Sequence, residues 1–161
     1  MITYYLTLSQ VFPSTHARAG EPTNFEAAFH AGQVFNRGSE CLYRHPKLHT
    51  IRANYDFWAK RFEKIAAGEA CLSIRQWTGK PYRSKQVELA RLTREDGIGL
   101  QKLTVIGCAT IHPKYVDGHS VTSKTLANND GLDEADWRNW FKSYDLTEPM
   151  AVIQFTKFRY K

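Results

Sequence analysis

Along residues 2–8 apolar and polar side chains alternate in a run rich in β-formers, a period of two that predicts a first strand. Residues 54–67 carry a different period. There Trp58, Phe62, Ile65 and Ala66 fall at i, i+4, i+7 and i+8, with Lys60, Arg61 and Lys64 off that face, which predicts an amphipathic helix stopped by Gly68. A shorter helix is expected to open at Asn24, carry Phe25, Ala28 and Phe29, and end at Gly32. Two extended runs, 70–77 and 85–92, flank Thr78-Gly79-Lys80-Pro81-Tyr82, whose Gly-Lys-Pro supplies the turn chemistry of a hairpin or wide loop. Further strands are expected near 103–111 and 150–159. Trp137, Trp140, Phe141 and Tyr144 recur at i, i+3, i+4 and i+7 behind an Asp133 N-cap with Asp136 three residues on, which predicts a core helix. Residues 13–23 read as loop. The sum is five to six strands and three helices in one α+β domain spanning 1–161, built on a small mixed barrel.

Composition narrows the class. A chain of 161 residues can bury a core without metal or disulfide. Its apolar runs are too short to span a bilayer, so no membrane partner is expected. The first residues carry no basic stretch, so no secretory leader is expected. Three cysteines (Cys41, Cys71, Cys108), odd in number and without close pairs, fit a reduced, cytoplasmic setting. The net charge of +6 is concentrated: residues 44–91 hold eleven Lys/Arg against four Asp/Glu. Such concentration points to a phosphate-rich partner, RNA or a nucleotide, with a solvated basic face as the alternative.

The most informative segment is Lys47-Leu48-His49-Thr50-Ile51-Arg52. In an extended chain Lys47, His49 and Ile51 share one face and Thr50 and Arg52 the other; a turn at Pro46 would bring Lys47 and Thr50 to one side. A threonine hydroxyl becomes a nucleophile when a neighbouring base takes its proton. A desolvated lysine flanked by Arg44 and Arg52 is such a base. The alternative is phosphate binding by Lys47 and Arg52 with Thr50 as an ordinary strand residue. A second constellation interleaves Arg75, Lys80, Arg83 and Lys85 with Trp77 and Tyr82, pairing cations for a backbone with rings for base stacking. Cys41, His45 and His49 have a superficially metal-like spacing. Pro46 interrupts any helix that would align them and no fourth ligand is evident, so neither metal nor cofactor is expected.

The pattern Lys47-x-x-Thr50-x-Arg52, followed by strands and then by Asn129-Asp130-Gly131-Leu132 ahead of the Trp137 helix, resembles the ASCH domain, a relative of the PUA RNA-binding fold. The similarity covers roughly residues 24–160. It implies a PUA-like barrel with a basic groove for RNA. It also implies a possible amidohydrolase activity, because some small bacterial ASCH proteins remove the acetyl group from 4-acetylcytidine with a lysine, a threonine and a glutamate. Lys47 and Thr50 match the first two, and Asp130 falls at the third, one methylene shorter. Residues 1–23 and the helix at 54–67 are then an extension and an insertion, the latter capping the pocket or enlarging the core. The expected function is binding of RNA or a modified nucleoside or nucleotide. The alternatives are an amidohydrolase of an acetylcytidine-like nucleoside, and a protein-interaction module whose basic hairpin meets an acidic partner.

Overall fold

The computed structural model describes residues 1–106 and 113–161. Strand β1 (Ile2–Leu8) runs parallel to β3 (Ala70–Trp77), in register from Ile2↔Ala70 to Leu8↔Gln76. Antiparallel β4 (Gln86–Leu92) completes a three-stranded sheet in the order β1-β3-β4. Five further strands, β2 (His49–Arg52), β5 (Gly99–Val105), β6 (Lys114–Val116), β7 (His119–Val121) and β8 (Met150–Gln154), form a second sheet in the order β2-β8-β5-β6-β7. Helices α1 (Phe25–Asn36), α2 (Tyr55–Ala66), α3 (Ser123–Asn129) and α4 (Glu134–Phe141) complete the α+β arrangement. One apolar core joins the two sheets, with Leu6, Leu72 and Ile74 from the first and Val152 and Ile153 from the second among its buried members.

The expected barrel is replaced by two separate sheets. Among the described residues, no ladder joins the edges of one sheet to those of the other, so closure is lacking. The strand count also exceeds expectation. β6 and β7 are three residues each, too short for alternation to register, and α3 is too short for a helical period. The predicted strand at 103–111 instead starts at Gly99 and ends at Val105; residues 107–111 of that run, with Cys108, lie outside the described residues.

Two helices depart from their predicted ends for local reasons. α1 runs through Gly32 to Asn36, and Asn24 gives no side-chain cap, adopting a left-handed backbone instead. Gly32 is a contact residue and not a stop: a Cβ there would sit 2.4 Å from the Lys47 carbonyl oxygen, so only glycine lets α1 lie this close to the segment entering β2. α4 stops at Phe141, which leaves Tyr144 outside it and exposed; Trp137 and Phe141 are buried. Asp133 does not cap α4 by its side chain, because that carboxylate bonds His45.

α2 matches the pattern closely, with Asn54 accepting from the Phe57 amide and Trp58, Phe62 and Ile65 buried. It packs on β3, β5 and β8 and adds its buried face to the core. The loop after β1 is strapped against α4. Residues 9–24 double back through a Val11–Pro22 bridge, and Phe12 and His16 pack against Trp140. Three polar ties fasten this strap to α4: Arg18 to the Asp136 carboxylate (2.6 Å), His16 Nε2 to the Asp136 carbonyl (3.0 Å), and the Ala17 amide to Asn139 (2.9 Å). No helix among the described residues is long and apolar enough to cross a membrane.

Candidate functional site

Lys47 enters β2 through a backbone bridge to Asp130, 83 residues away at the end of α3. Its Nζ donates to the Asp130 carboxylate at 2.5 Å and to the Asp130 carbonyl at 2.7 Å, and stands 3.9 Å from the centre of the Phe25 ring. Both side chains are buried, Lys47 completely. Gly131 makes the fit possible: a Cβ there would press on Lys47 Cβ at 3.2 Å, and its φ of 78° suits glycine. Burial lowers the Lys47 ammonium from its usual range and raises the Asp130 carboxyl, and the mutual attraction of the pair opposes both shifts. The Trp137 indole also favours the charged carboxylate. Its N–H makes no hydrogen bond within normal geometry.

Thr50 is buried in the same segment, and its hydroxyl oxygen accepts from Arg52 Nη1 at 2.9 Å. Arg52 also donates to the Ile51 carbonyl (3.0 Å) and, across to the other sheet, to the Thr7 carbonyl (2.8 Å). Burial pushes the guanidinium down from its usual range, with Asp130 opposing. The side chains of Lys47, Asp130 and Arg52 therefore form one electrostatic cluster beside Thr50. Lys47 gives its hydrogen bonds to Asp130, so the ammonium is not bonded to the threonine it would have to deprotonate.

His49, on the face of β2 opposite to Thr50, is fully buried and paired with Gln154. Asn129 donates to the Tyr160 hydroxyl (3.0 Å), and that hydroxyl shares a hydrogen bond with His49 Nε2 (2.7 Å). Burial raises the Tyr160 phenol above its ordinary range, and His49 Nδ1 is buried without a hydrogen-bond partner. Burial, aided by the Lys47 charge, holds the imidazole pKa well below its ordinary value. Neither His45, bonded to Asp133, nor His49 is turned toward a shared ligand with Cys41. Among the described residues no group of three His, Cys, Asp or Glu side chains could hold a metal.

The second constellation is open. A cleft of about 600 Å³ lies between residues 7–14 of the strap side and the tip of the β3–β4 hairpin, lined among others by Thr7, Phe12, Trp77, Lys80 and Tyr82. Its wall is mainly apolar, with polar groups few and local, as in small-molecule sites generally. The tip is a built turn: the Arg83 amide bonds the Lys80 carbonyl (3.1 Å), Pro81 precedes Tyr82, and Tyr82 has φ 62°. That is the pattern of a type II turn, whose third position ordinarily takes glycine or asparagine. Here it takes a tyrosine that is 88% exposed, its ring 5.2 Å from that of Trp77. Lys80, Arg83 and Lys85 are exposed, and among the described residues none has a carboxylate within ion-pair distance. Arg75 is near but stacked elsewhere, 4.5 Å over the Tyr5 ring. Arg44 is not brought to the hairpin. It pairs with Asp133 at 3.6 Å on the rim of a separate, smaller cleft that also includes Arg18 and His45.

Thr7 and Phe12 were not among the expected site residues, and Phe25 was read only as an apolar residue of its helix. Thr7 is an ordinary strand residue until Arg52 reaches its carbonyl, and nothing in the spacing reveals that. The Pro81-Tyr82 pair did carry a signal: proline at the second position of a turn demands a positive φ from the next residue if the turn is type II. Compared with known protein families, with curated proteins and with solved structures, the chain matches none.

Proposed function

We propose that this protein binds a nucleobase-bearing ligand, RNA or a nucleotide, in the cleft between the strap and the β3–β4 hairpin. The observation that carries this reading is Tyr82: a fully presented ring held on a backbone that costs on the order of 1–2 kcal/mol for an L-residue. Strain of this kind is retained where a side chain has work at that position. Trp77 and Tyr82 supply stacking surface, and Lys80, Arg83 and Lys85 supply phosphate contacts. The likeness to ASCH and PUA-like domains belongs to the same proposal, supported by the meeting of Lys47 with Asp130.

The test is quenching of tryptophan fluorescence by uridine and cytidine monophosphates, in wild type and in Tyr82→Ala. Saturable quenching that weakens roughly tenfold or more in the variant supports the cleft, since base–aromatic stacking contributes about 1–3 kcal/mol. Equal quenching in both removes it.

A second reading is favoured by one specific contact. The Lys47–Asp130 pair beside Thr50 matches in residue type the lysine, acid and threonine that an amidohydrolase acting on an acylated cytidine would use, and Arg52, once released from Thr50, would steady the oxyanion. It requires Arg52 to leave Thr50 and Lys47 to turn toward it. Release of acetate from 4-acetylcytidine, lost in the isosteric Thr50→Val, supports it; absence of turnover at high enzyme concentration eliminates it.

A further inference from the structure

Two features on the outer face of the β1-β3-β4 sheet are not used by the cleft. Tyr5 projects from β1 and is 55% exposed, although a central aromatic residue of a strand is an ordinary core candidate. Arg75 of β3 lies 4.5 Å over its ring. Alternation places Tyr5 and Thr7 of β1, and Ser73, Arg75 and Trp77 of β3, on one face, opposite the buried Leu6, Leu8, Leu72 and Ile74. Thr7 and Trp77 line the cleft, so the cleft and Tyr5 belong to a continuous surface.

The charge of this surface is lopsided. Residues 70–92 contain five cations, Arg75, Lys80, Arg83, Lys85 and Arg91, against one carboxylate, Glu88. Glu88 is already engaged by Ser73 and by Arg91, the latter at 3.0 Å. The other four cations have no carboxylate within ion-pair distance among the described residues. The spacing of the rings is informative. Tyr5 is opposite Ser73, four residues before Trp77, so the two stations stand about 13 Å apart along the strand. Bases stacked in a helix rise only about 3.4 Å each. No single nucleotide covers both stations, and neighbouring bases stacked on one another do not match them.

We infer that the ligand is a single-stranded nucleic acid, one base held in the Trp77–Tyr82 cleft and a second, unstacked from the first, on the Tyr5–Arg75 platform. This rests on the cleft reading above and adds to it the partner's length and strandedness. An aromatic and an arginine facing each other on an open sheet provide both stacking and a phosphate contact, and neither requires a particular base.

The experiment compares a labelled uridine hexamer, the mononucleotide UMP, a thymidine hexamer and a blunt RNA duplex by anisotropy and competition, on wild type and Tyr5→Ala. Tyr5 is exposed, so its replacement leaves the fold intact, checked by thermal unfolding. The expected result is a hexamer bound at least tenfold more tightly than UMP. Tyr5→Ala weakens the hexamer about tenfold or more and leaves UMP unchanged. Arg75→Gln should weaken the hexamer in the same direction. The thymidine hexamer showing the same Tyr5 dependence supports the surface equally, and the ratio of the two affinities identifies the preferred sugar. A duplex that binds as tightly as the single strand overturns the inference, as does UMP matching the hexamer while the cleft reading survives. Polyglutamate with the same Tyr5 dependence overturns it in favour of an acidic protein partner. If neither hexamer nor UMP binds the folded protein, the cleft reading falls first and this inference with it.

Discussion

The Lys47 cluster and the hairpin cleft use similar side chains to opposite ends. In the first, Lys47 is fully buried and Arg52 half-buried, their charge answered by Asp130, with the Phe25 ring against the Lys47 ammonium and Gly131 close against its side chain. In the second, Lys80, Arg83 and Lys85 face solvent around an open apolar cleft and a tyrosine held in an unfavourable backbone. Enclosure makes each charge expensive to leave alone but unavailable to a visitor. Exposure makes each charge nearly free of structural consequence and available. Cation content by itself therefore says little about binding; what surrounds the cation decides.

That contrast can be broken in four ways. Asp130→Ala leaves a buried ammonium without its partner and should lower stability by roughly 3–5 kcal/mol in urea unfolding. Lys47→Met combined with Asp130→Leu should recover most of that loss; if Asp130→Ala proves neutral, the pair is hydrated and the contrast is wrong. At the open site, replacing Lys80, Arg83 and Lys85 together by alanine should leave unfolding unchanged. It should flatten the dependence of log affinity on log salt for single strands by about two, on the order of a hundredfold weaker binding at 0.1 M salt.

His49 offers a titration. The native state keeps it neutral, while the unfolded chain takes up a proton near pH 6.5. Its contribution is intact above that pH and is lost as pH falls, by up to about a factor of ten in the unfolding equilibrium per pH unit. His49→Gln should flatten the stability profile below about pH 6.5, and an unchanged profile would mean that the imidazole is reached by solvent. The smallest effect sharpens the comparison most. Tyr82→Gly relieves the left-handed strain and should raise stability by about 1 kcal/mol while weakening ligand binding. A variant that loses both would assign Tyr82 to the fold.

Where the chain carried a local period, the elements were legible: β1, β3 and α2 have nearly the predicted limits because alternation or a 3.6-residue stripe marks them, with Gly68 after α2 and the turn at Gly79 after β3. The partnerships were not. Nothing in residues 2–8 announces parallel pairing with 70–77, and Lys47 meets Asp130 only through the fold. The hairpin β6–β7 did leave a trace in Asp117-Gly118, both at positive φ, a dipeptide typical of tight hairpins. Trp140 illustrates the reverse. Its helical spacing announced a core residue, yet it is only partly buried and is covered by Phe12 and His16 of a segment with no period at all.

Arg52 couples what the sheets keep apart. One guanidinium nitrogen bonds the Thr50 hydroxyl and the other the carbonyl of Thr7, whose residue lines the open cleft. A ligand that shifts Thr7 thereby changes the field felt by Asp130 and Lys47, and the proton affinity of that pair changes with it. Reciprocity then applies: whatever factor occupancy imposes on the buried protons, the buried protons impose on occupancy.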